Sequence, residues 1–436
     1  MTGATLLIHD ALVVPGDGRT APFVGWVEVS GERISGVGAG PAPVPSPGSS
    51  DGVRRIDATG HALLPGLVNT HAHSHSSLTR GTAEGVALDA WIATIEREQS
   101  RLGDEDAYVA ALATYAEALL SGTTTVLDMC LRPGPAMRAA RDIGMRVVIA
   151  PYVLDRGPFA PKLPMVRELL EQHGAVDGRV GLWVGLHDLE GCADQSIAAG
   201  AELAREYGTG LHLHCAETRG AVERTRARTG RTPVAQLHEL GALGPRTVLA
   251  HCVWADADDQ ALLAATGTTV AHCPHANLKL ASGFAPVPAM QEAGVRVTLA
   301  TDGAKANNRL DLFDVMKFAS LIHKGMRLEA GLLPAPTVLR MATQDGAQAL
   351  GLDSGAIAPG MLADLTLVDL EQFHLQPATP DTVATNLVHA ARGADVRMVL
   401  VDGEVVVEDG RLVRIDTAAA LAAMKAAGRR LMGVAA

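Results

Sequence analysis

Two histidines separated by one residue, His71 and His73, stand at the end of an apolar run, "LLPGLVNTHAH". In a strand, residues two apart point to the same face, so both imidazoles can present nitrogen atoms to one point. Neutral imidazole suits Zn²⁺ or Fe²⁺, a carboxylate can complete the set, and a catalytic site keeps one position open for water. His214 and Asp302 end two further apolar runs and supply these groups. The four residues are therefore the predicted ligands of a divalent metal ion.

An HxH pair alone is a weak pattern, because two ordinary polar residues at a strand end would look the same. Here it is combined with an HxxE spacing from His214 to Glu217 and with a TDG segment around Asp302. Glu217 also stands near the start of a helical stretch, where a carboxylate is favoured by the helix dipole, and that role could coexist with catalysis. The combination favours a metal site over scattered polar residues.

Hydrolytic deamination is the chemistry that these residues fit. It requires hydroxide delivered to a ring carbon, a proton given to the neighbouring ring nitrogen, and a proton given to the departing ammonia. A metal ion, Asp302, His251 and Glu217 could supply each of these needs. We therefore name Glu217, His251 and Asp302 as the predicted catalytic residues.

The elements that must position these side chains are eight apolar strands, each followed by a helical stretch. Such alternation predicts a parallel sheet, and eight units match an α/β fold of the (β/α)8 TIM type, which typically needs about 250 residues. Nearly every strand ends in a polar residue at the face where such barrels place their active sites. In strand order these residues are His71 and His73, Asp128, His187, His214 and Glu217, His251, His275 and Asp302.

The sequence pattern at both ends of the chain differs from that of the middle. Short runs of β-branched residues are separated by glycine turns and by Asp-Gly pairs typical of β-hairpins. Two such segments can pair into one small β-sandwich and leave the middle of the chain as an inserted domain. The predicted domains are therefore a composite β-sandwich over 1–60 and 360–436, and a metal-dependent barrel over 61–359.

Composition excludes several classes of partner. The net charge of −11 argues against a surface that binds nucleic acid or an anionic membrane. The sequence contains no uncharged apolar run that is long enough to predict a membrane span. Five cysteines form no CxxC pair or regular framework, as is typical of reduced thiols in a cytoplasmic protein. We expect a cytoplasmic homo-oligomer, either a dimer or a tetramer, that acts on a small heterocyclic molecule.

The chain resembles one branch of the amidohydrolase superfamily, which holds S-adenosylhomocysteine and methylthioadenosine deaminases together with triazine hydrolases. The matching segments span almost the whole chain in order: "PGLVNTHAH", "LTRGTAEGVALDAWI", "HLHCAETRG", "LGPRTVLAHCVW", "HCPHANLKLASGFAPV", "TDGAKANNRLDLF" and "GAIAPGMLADLTLVDL".

This resemblance implies that His251 orients the attacking water, that Glu217 protonates the ring nitrogen, and that His187 contacts the substrate. Two-metal relatives usually carry a carboxylated lysine at the end of strand four, where this chain reads "VGLHD". The resemblance therefore implies one divalent ion, with zinc favoured and Fe(II) as the alternative.

Three positions depart from the nucleoside deaminases of that branch. Gln99 replaces a glutamate that contacts ribose hydroxyls, and a neutral amide cannot offer a charged acceptor to two hydroxyls. His275 and Lys305 bring possible cations to the rim where the relatives have other residues. We include all three among the predicted substrate contacts, and they favour a smaller ring or one that bears an acidic group.

Three functions remain open from the sequence. The first is a deaminase of an aminated heterocycle, which includes adenosine-type nucleosides. The second keeps the same metal site but removes an alkylamine or halide, or opens a cyclic amide. The third is an inactive assembly protein on the same fold, against which the four retained ligands argue.

Overall fold

The structure of the chain, a computed structural model, describes residues 5–43, 52–86, 88–157 and 159–433. Residues 1–4, 44–51 and 434–436 of the predicted end domain lie outside the described residues. The strands follow the chain as β1 (Thr5–Val13), β2 (Phe23–Ser30), β3 (Arg33–Ala39), β4 (Arg54–Asp57), β5 (His61–Pro65), β6 (Leu67–Ala72), β7 (Thr123–Cys130), β8 (Arg146–Pro151), β9 (Val176–Asp177), β10 (Val180–Leu182), β11 (Val184–Gly185), β12 (Leu211–Cys215), β13 (Thr247–His251), β14 (Thr269–His272), β15 (Val297–Leu299), β16 (Leu365–Asp369), β17 (Val396–Val401), β18 (Glu404–Glu408) and β19 (Arg411–Leu412).

Helices alternate with the middle strands, as the apolar periodicity predicts. They are α1 (Leu88–Gln99), α2 (Asp104–Leu120), α3 (Pro133–Ile143), α4 (Leu163–His173), α5 (Asp194–Glu206), α6 (Arg219–Thr229), α7 (Pro233–Glu239), α8 (Ala257–Thr266), α9 (Pro274–Lys279), α10 (Val287–Glu292), α11 (Ala304–Asn307), α12 (Leu312–Arg327), α13 (Ala335–Ala342), α14 (Gln344–Leu350), α15 (Val383–His389) and α16 (Thr417–Met432). Gly144 and Gly267 end α3 and α8 with φ of 80° and 69°, a left-handed conformation that glycine adopts without steric cost.

The middle strands confirm the predicted (β/α)8 fold. They form two sheets, ordered β6-β7-β8-β10-β9 and β11-β12-β13-β14-β15. The fourth barrel strand is divided at Trp183 into β10 and β11, yet Trp183 N donates to Ile149 O and Val184 N donates to Gly210 O, at 2.8 and 2.9 Å. Consecutive amides thus bond to the neighbouring strands on both sides, so the barrel continues through the division.

The first and last strands of the barrel meet through buried polar side chains. Asn69 Nδ2 donates to Thr301 Oγ1 at 2.7 Å, and the hydroxyls of Thr70 and Thr298 share a hydrogen bond of 2.7 Å. Asp302 N donates to His71 O at 3.0 Å. Closure therefore brings two predicted metal ligands from opposite ends of the barrel sequence next to each other.

Strands from both chain ends join in one sheet, with the order β19-β18-β17-β16-β5-β1-β2-β3 and with β4 paired to β1. Most pairs are antiparallel, whereas β1 pairs in parallel with β4 and β5. β2 alternates buried and partly exposed residues, so that Val27 and Val29 enter a core with Leu63 and Leu365. That the segments 1–60 and 360–436 fold as one domain stays a prediction.

Two compact units divide the chain. The first contains 1–68, 118–125 and 311–414, and the second contains 69–117, 126–310 and 415–436. Helix α16 belongs to the second unit, where Ala427 and Leu431 pack in a core cluster with Leu78 and Leu102.

All five cysteines are buried free thiols. Among the described helices, none combines the length and the apolar character that crossing a lipid bilayer requires.

Candidate active site

The predicted metal ligands lie at the carboxyl ends of barrel strands. His71 is in β6 and His73 follows it, His214 is in β12, and Asp302 follows β15. His251 ends β13 with φ of 76°, and Asp302 has φ of 61°. This left-handed region is uncommon for residues other than glycine, and such conformations cluster at functional sites.

Three histidines bring their ring nitrogens together. One nitrogen from each of His71, His73 and His214 lies within 4.8 Å of the others. Asp302 Oδ1 lies 3.7 Å from His71 Nε2 and 3.6 Å from His73 Nε2. The structure thus gathers the four predicted ligands around one point in the second unit.

Hydrogen bonds determine which nitrogens of His73 and His214 carry protons. His73 Nδ1 lies 2.8 Å from Met129 O, and His214 Nδ1 lies 2.7 Å from His187 O. A carbonyl oxygen only accepts, so both Nδ1 atoms donate. Burial lowers the pKa of both rings well below the usual range, so each ring is neutral and each Nε2 bears a lone pair. These two lone pairs face each other at 3.1 Å, a contact that a nearby cation would stabilise.

A relay of two imidazoles sets the protonation of His71. His212 Nδ1 donates to Val248 O at 2.8 Å, so the neutral His212 ring offers its Nε2 as an acceptor. His71 Nδ1 lies 2.8 Å from that atom and donates to it. Burial lowers the pKa of His212 to about 4 and that of His71 well below its usual value. His71 Nε2 is consequently a third lone pair, buried and without a hydrogen-bond partner among the described residues.

The chemistry of this donor set fits one divalent metal ion. Three neutral imidazole lone pairs and one carboxylate are the ligands that zinc and Fe(II) prefer. Burial raises the pKa of Asp302 to about 6, although nearby His251 opposes the shift. A second group of ligand atoms, from His71, His251 and Cys273, also lies within 4.8 Å. Burial raises the pKa of the Cys273 thiol well above its usual value, and a protonated thiol is a poor ligand, so the first set is favoured.

Glu217 and His251 face each other beside this cluster. His251 Nδ1 donates to Asn277 Oδ1 at 2.8 Å, and its Nε2 lies 3.8 Å from Glu217 Oε2. The Ser282 hydroxyl donates to Glu217 Oε1 at 3.3 Å. Glu217 precedes α6, whose N-cap is the Thr218 side chain, so Glu217 is not the capping residue. Its carboxylate lines the cavity instead.

His187 lies next to the cluster and is paired with its chain neighbour. Its Nδ1 is 3.0 Å from Asp188 Oδ2. Although burial opposes the charged form, the Asp188 carboxylate raises the pKa of His187. His187 in turn lowers the pKa of Asp188 to about 2 against the effect of burial. His187 and Asp188 both line the cavity beside the cluster.

An open cavity lies over these residues, and its space of about 1150 Å³ includes the solvent at its mouth. Its wall includes His73, His214, Glu217, His251 and Asp302, together with His187. These side chains therefore border one common space.

The three predicted substrate contacts that depart from the relatives occupy different places. Gln99 lines the cavity, and its Nε2 donates to His75 Nε2 at 2.9 Å. Lys305 also borders the cavity, but its side chain is only 1% exposed and its ammonium binds Glu98 at 2.6 Å. Lys305 is therefore a buried, paired cation beside the cavity, and its contact with a substrate stays a prediction. His275 lies in α9 and is not among the described residues that line the cavity.

Several cavity residues were missed by the sequence analysis. Trp91 and Ile95 stand eight and four residues before the predicted contact Gln99 along α1 and line one wall with it, so that helical spacing could have identified them. Tyr152 follows β8 and also lines the cavity. A search of the strand ends for aromatic residues, in addition to His, Asp and Glu, would have identified it. His75 extends the alternation of His71 and His73, as "HAHSH".

Asp128 and Arg80 support the site from outside the cavity. Asp128 accepts from Ser74 N at 2.9 Å and from the Tyr115 hydroxyl at 2.7 Å, so it holds the residue after His73. Arg80 donates to Glu117 Oε1 at 3.0 Å and to Asn308 O at 2.8 Å.

Known proteins match this chain over most of its length. The Amidohydrolase family matches residues 62–406. The 5'-deoxyadenosine deaminase of Methanothermobacter thermautotrophicus is 39% identical over 393 residues, which cover 89% of this chain and 91% of that protein. The 5-methylthioadenosine/S-adenosylhomocysteine deaminase of Moorella thermoacetica is 39% identical over 421 residues, which cover 94% of this chain and 96% of that protein.

Solved structures agree with these sequence relatives. An adenosine deaminase from Xanthomonas campestris, solved with bound zinc, superposes with a TM-score of 0.91 at 30% identity. The superposition covers 98% of this chain and 99% of that one. Sequence motifs, fold and family match therefore agree, and the chain belongs to the amidohydrolase family.

Proposed function

We propose that this protein is a metal-dependent hydrolytic deaminase that removes the amino group of a nitrogen heterocycle and releases ammonia. The observation that carries the proposal is the convergence of three imidazole lone pairs, with Asp302 beside two of these rings and with Glu217 facing His251. The relatives described above are deaminases of adenosine-type molecules by name, which supports the same reaction class here.

His71, His73, His214 and Asp302 are the proposed ligands, and zinc is the proposed ion. The zinc found in the Xanthomonas campestris adenosine deaminase supports this choice over Fe(II). When bound, the ion would lower the pKa of a water molecule and so supply hydroxide near neutral pH.

The chain's own residues would move the protons. His251, which lines the cavity, would orient the attacking water, and Asp302, which lines the same cavity, would accept a proton from it. Glu217 then protonates the ring nitrogen next to the attacked carbon, which makes that carbon a better electrophile. The proton that Asp302 took from the water would then pass to the amino group, whose bond to the ring carbon breaks. The new hydroxyl group on that carbon would return its proton to Glu217, so the products are a ring carbonyl and ammonia. His187, on the cavity wall, would contact the substrate.

Adenosine-type nucleosides are the substrate class that the relatives favour, since each of those described above is by name a deaminase of such a molecule. This agreement argues against the smaller ring that Gln99 suggested from the sequence. A panel measurement tests the proposal: ammonia release from adenosine, 5'-deoxyadenosine, methylthioadenosine and S-adenosylhomocysteine, beside free adenine, guanine, cytosine and aminotriazines. Protein that holds metal but releases no ammonia from any of them would refute it.

Gln99→Glu is expected to improve the reaction of nucleosides and to leave free bases unchanged. A carboxylate would add a charged acceptor for the ribose hydroxyls, and such a hydrogen bond is worth roughly 1.5–3 kcal/mol. At about 1.4 kcal/mol per tenfold, kcat/KM for adenosine should rise about tenfold. The measurement is kcat/KM for adenosine and for adenine in both proteins, with adenine as the control. If the wild type already prefers nucleosides and the substitution brings no gain, Gln99 does not limit ribose recognition.

A cytoplasmic location and a homo-oligomeric state, a dimer or a tetramer, complete the proposal. Five buried free thiols suit a reducing compartment.

A further inference from the structure

A buried ion pair lies beside the cavity and takes no part in the proposed chemistry. Lys305 Nζ donates to Glu98 Oε2 at 2.6 Å. The Lys305 side chain is 1% exposed and the Glu98 side chain 20% exposed. A buried lysine depends on its partner, because an ammonium without water or a counter-charge is costly. The bond therefore constrains the positions of both segments that it joins.

Those segments are the end of α1 and the loop that carries Asp302. Glu98 and Gln99 are the last two residues of α1. Lys305 stands three residues after Asp302, in α11. Gln99 donates to His75, which stands two residues after His73. Two consecutive residues of α1 thus bond to the two segments that carry predicted metal ligands.

A second, smaller cavity borders the end of α1. Glu98, Gln99 and Lys305 line it together with Leu431 of α16. Atoms that border a void lose part of their packing contacts, so a helix end beside one is positioned less firmly than in a filled core. The hydrogen bonds from Lys305 to Glu98 and from Gln99 to His75 are directional contacts at this helix end.

The position of α1 sets the shape of the substrate cavity. Trp91, Ile95 and Gln99 present one helical face to the large cavity. Among the proposed catalytic residues, Glu217 and His251 come from loops and strands elsewhere in the barrel. Asp302 shares its loop with Lys305, but the bond from Asp302 N to His71 O holds it to β6 independently of α1. A shift of α1 would therefore change the contacts to the part of the substrate along that face, and it would leave the reacting groups in place.

We propose that the Glu98–Lys305 ion pair is a positioning pair that holds the end of α1 against the substrate cavity and thereby determines substrate affinity, not the rate of the chemical step. The inference rests on the proposed deaminase function for its kinetic test. It differs from a direct role of Lys305 in binding an anionic substrate group, because that ammonium is already bound to Glu98.

The two single variants are expected to differ in a defined direction. Glu98→Gln leaves the fully buried Lys305 without its counter-charge, whereas Lys305→Met leaves a carboxylate that is 20% exposed and can be hydrated. Glu98→Gln should raise KM for a nucleoside by about tenfold or more while kcat stays within about threefold. Lys305→Met should raise KM less. Metal content should stay at one equivalent in both variants.

The double variant Glu98→Gln/Lys305→Met separates positioning from stability. Removing both charges abolishes the buried unpaired ammonium, so the thermal midpoint should return to the wild-type value. KM should stay raised, because the bond between α1 and α11 is still missing. The matched control is Arg167→Met/Glu206→Gln, which removes an exposed ion pair between α4 and α5. It should change neither KM nor kcat.

Hydrogen–deuterium exchange gives a readout that does not depend on activity. Peptides covering the end of α1 should exchange at least about tenfold faster in Glu98→Gln and in the double variant than in the wild type or the control. Unchanged exchange in α1 would overturn the inference, and so would recovery of KM together with stability in the double variant. A wild-type protein that binds metal yet deaminates none of the substrates would refute the proposed function alone. The exchange comparison would still decide whether the Glu98–Lys305 pair positions α1.

Discussion

His71→Ala and Asp302→Asn are each expected to lower kcat/KM to less than about a thousandth of the wild-type value, a loss of at least about 4 kcal/mol. Each change removes one metal-ligating group, and the groups that remain are too few to hold the ion. The protein should stay folded, because the barrel core does not depend on its active-site face. Metal content measured on purified protein should fall together with activity, while circular dichroism stays unchanged.

The control for these variants is His238→Ala, which removes an exposed histidine near the end of α7. Its activity and metal content should match the wild type. Near-normal turnover by either ligand variant, after contaminating wild-type enzyme has been removed, would mean that the ligand assignment is wrong.

Glu217→Gln is expected to lower kcat by about 10²–10⁴-fold, the usual contribution of a general acid or base. The amide keeps the shape of the side chain and can still bond to Ser282, but it cannot deliver a proton to the ring nitrogen. Metal content and KM should change little, because Glu217 is not among the proposed ligands. Steady-state kinetics on a nucleoside, with metal analysis of the same sample, measures all three quantities.

A matched control for this variant is Glu223→Gln in α6, whose carboxylate is 63% exposed and pairs with Arg219. It should behave as the wild type. If Glu217→Gln retained more than about a tenth of kcat, another group would have to protonate the substrate.

The sequence predicted the barrel and its ligand set because both follow from local patterns. Apolar runs that end in His or Asp place those side chains at the carboxyl face, and chain closure then brings Asp302 to His71. The protonation of His71 could not be predicted in this way. It depends on His212, which stands 141 residues away and meets His71 only when the barrel is closed.

The substrate wall was predicted less well for the same reason. Gln99 was identified from its position in a motif, but its partner His75 follows from the fold. Lys305 was expected to meet solvent or substrate, yet it is buried against Glu98, which is 207 residues away in the chain. Local hydropathy does not report such a pairing, because a lysine in a loop and a glutamate in a helix are both typical of exposed surface.

Titration of the metal-free protein with zinc, followed by ammonia release from 5'-deoxyadenosine or methylthioadenosine, measures whether deamination needs one metal ion. The rate of ammonia release should rise linearly with added zinc and stop rising at one equivalent per chain, and His71→Ala should show no such rise. A rise that continues to two equivalents, or an ammonia release that does not depend on added metal, would mean that the reaction does not use a single ion held by His71, His73, His214 and Asp302.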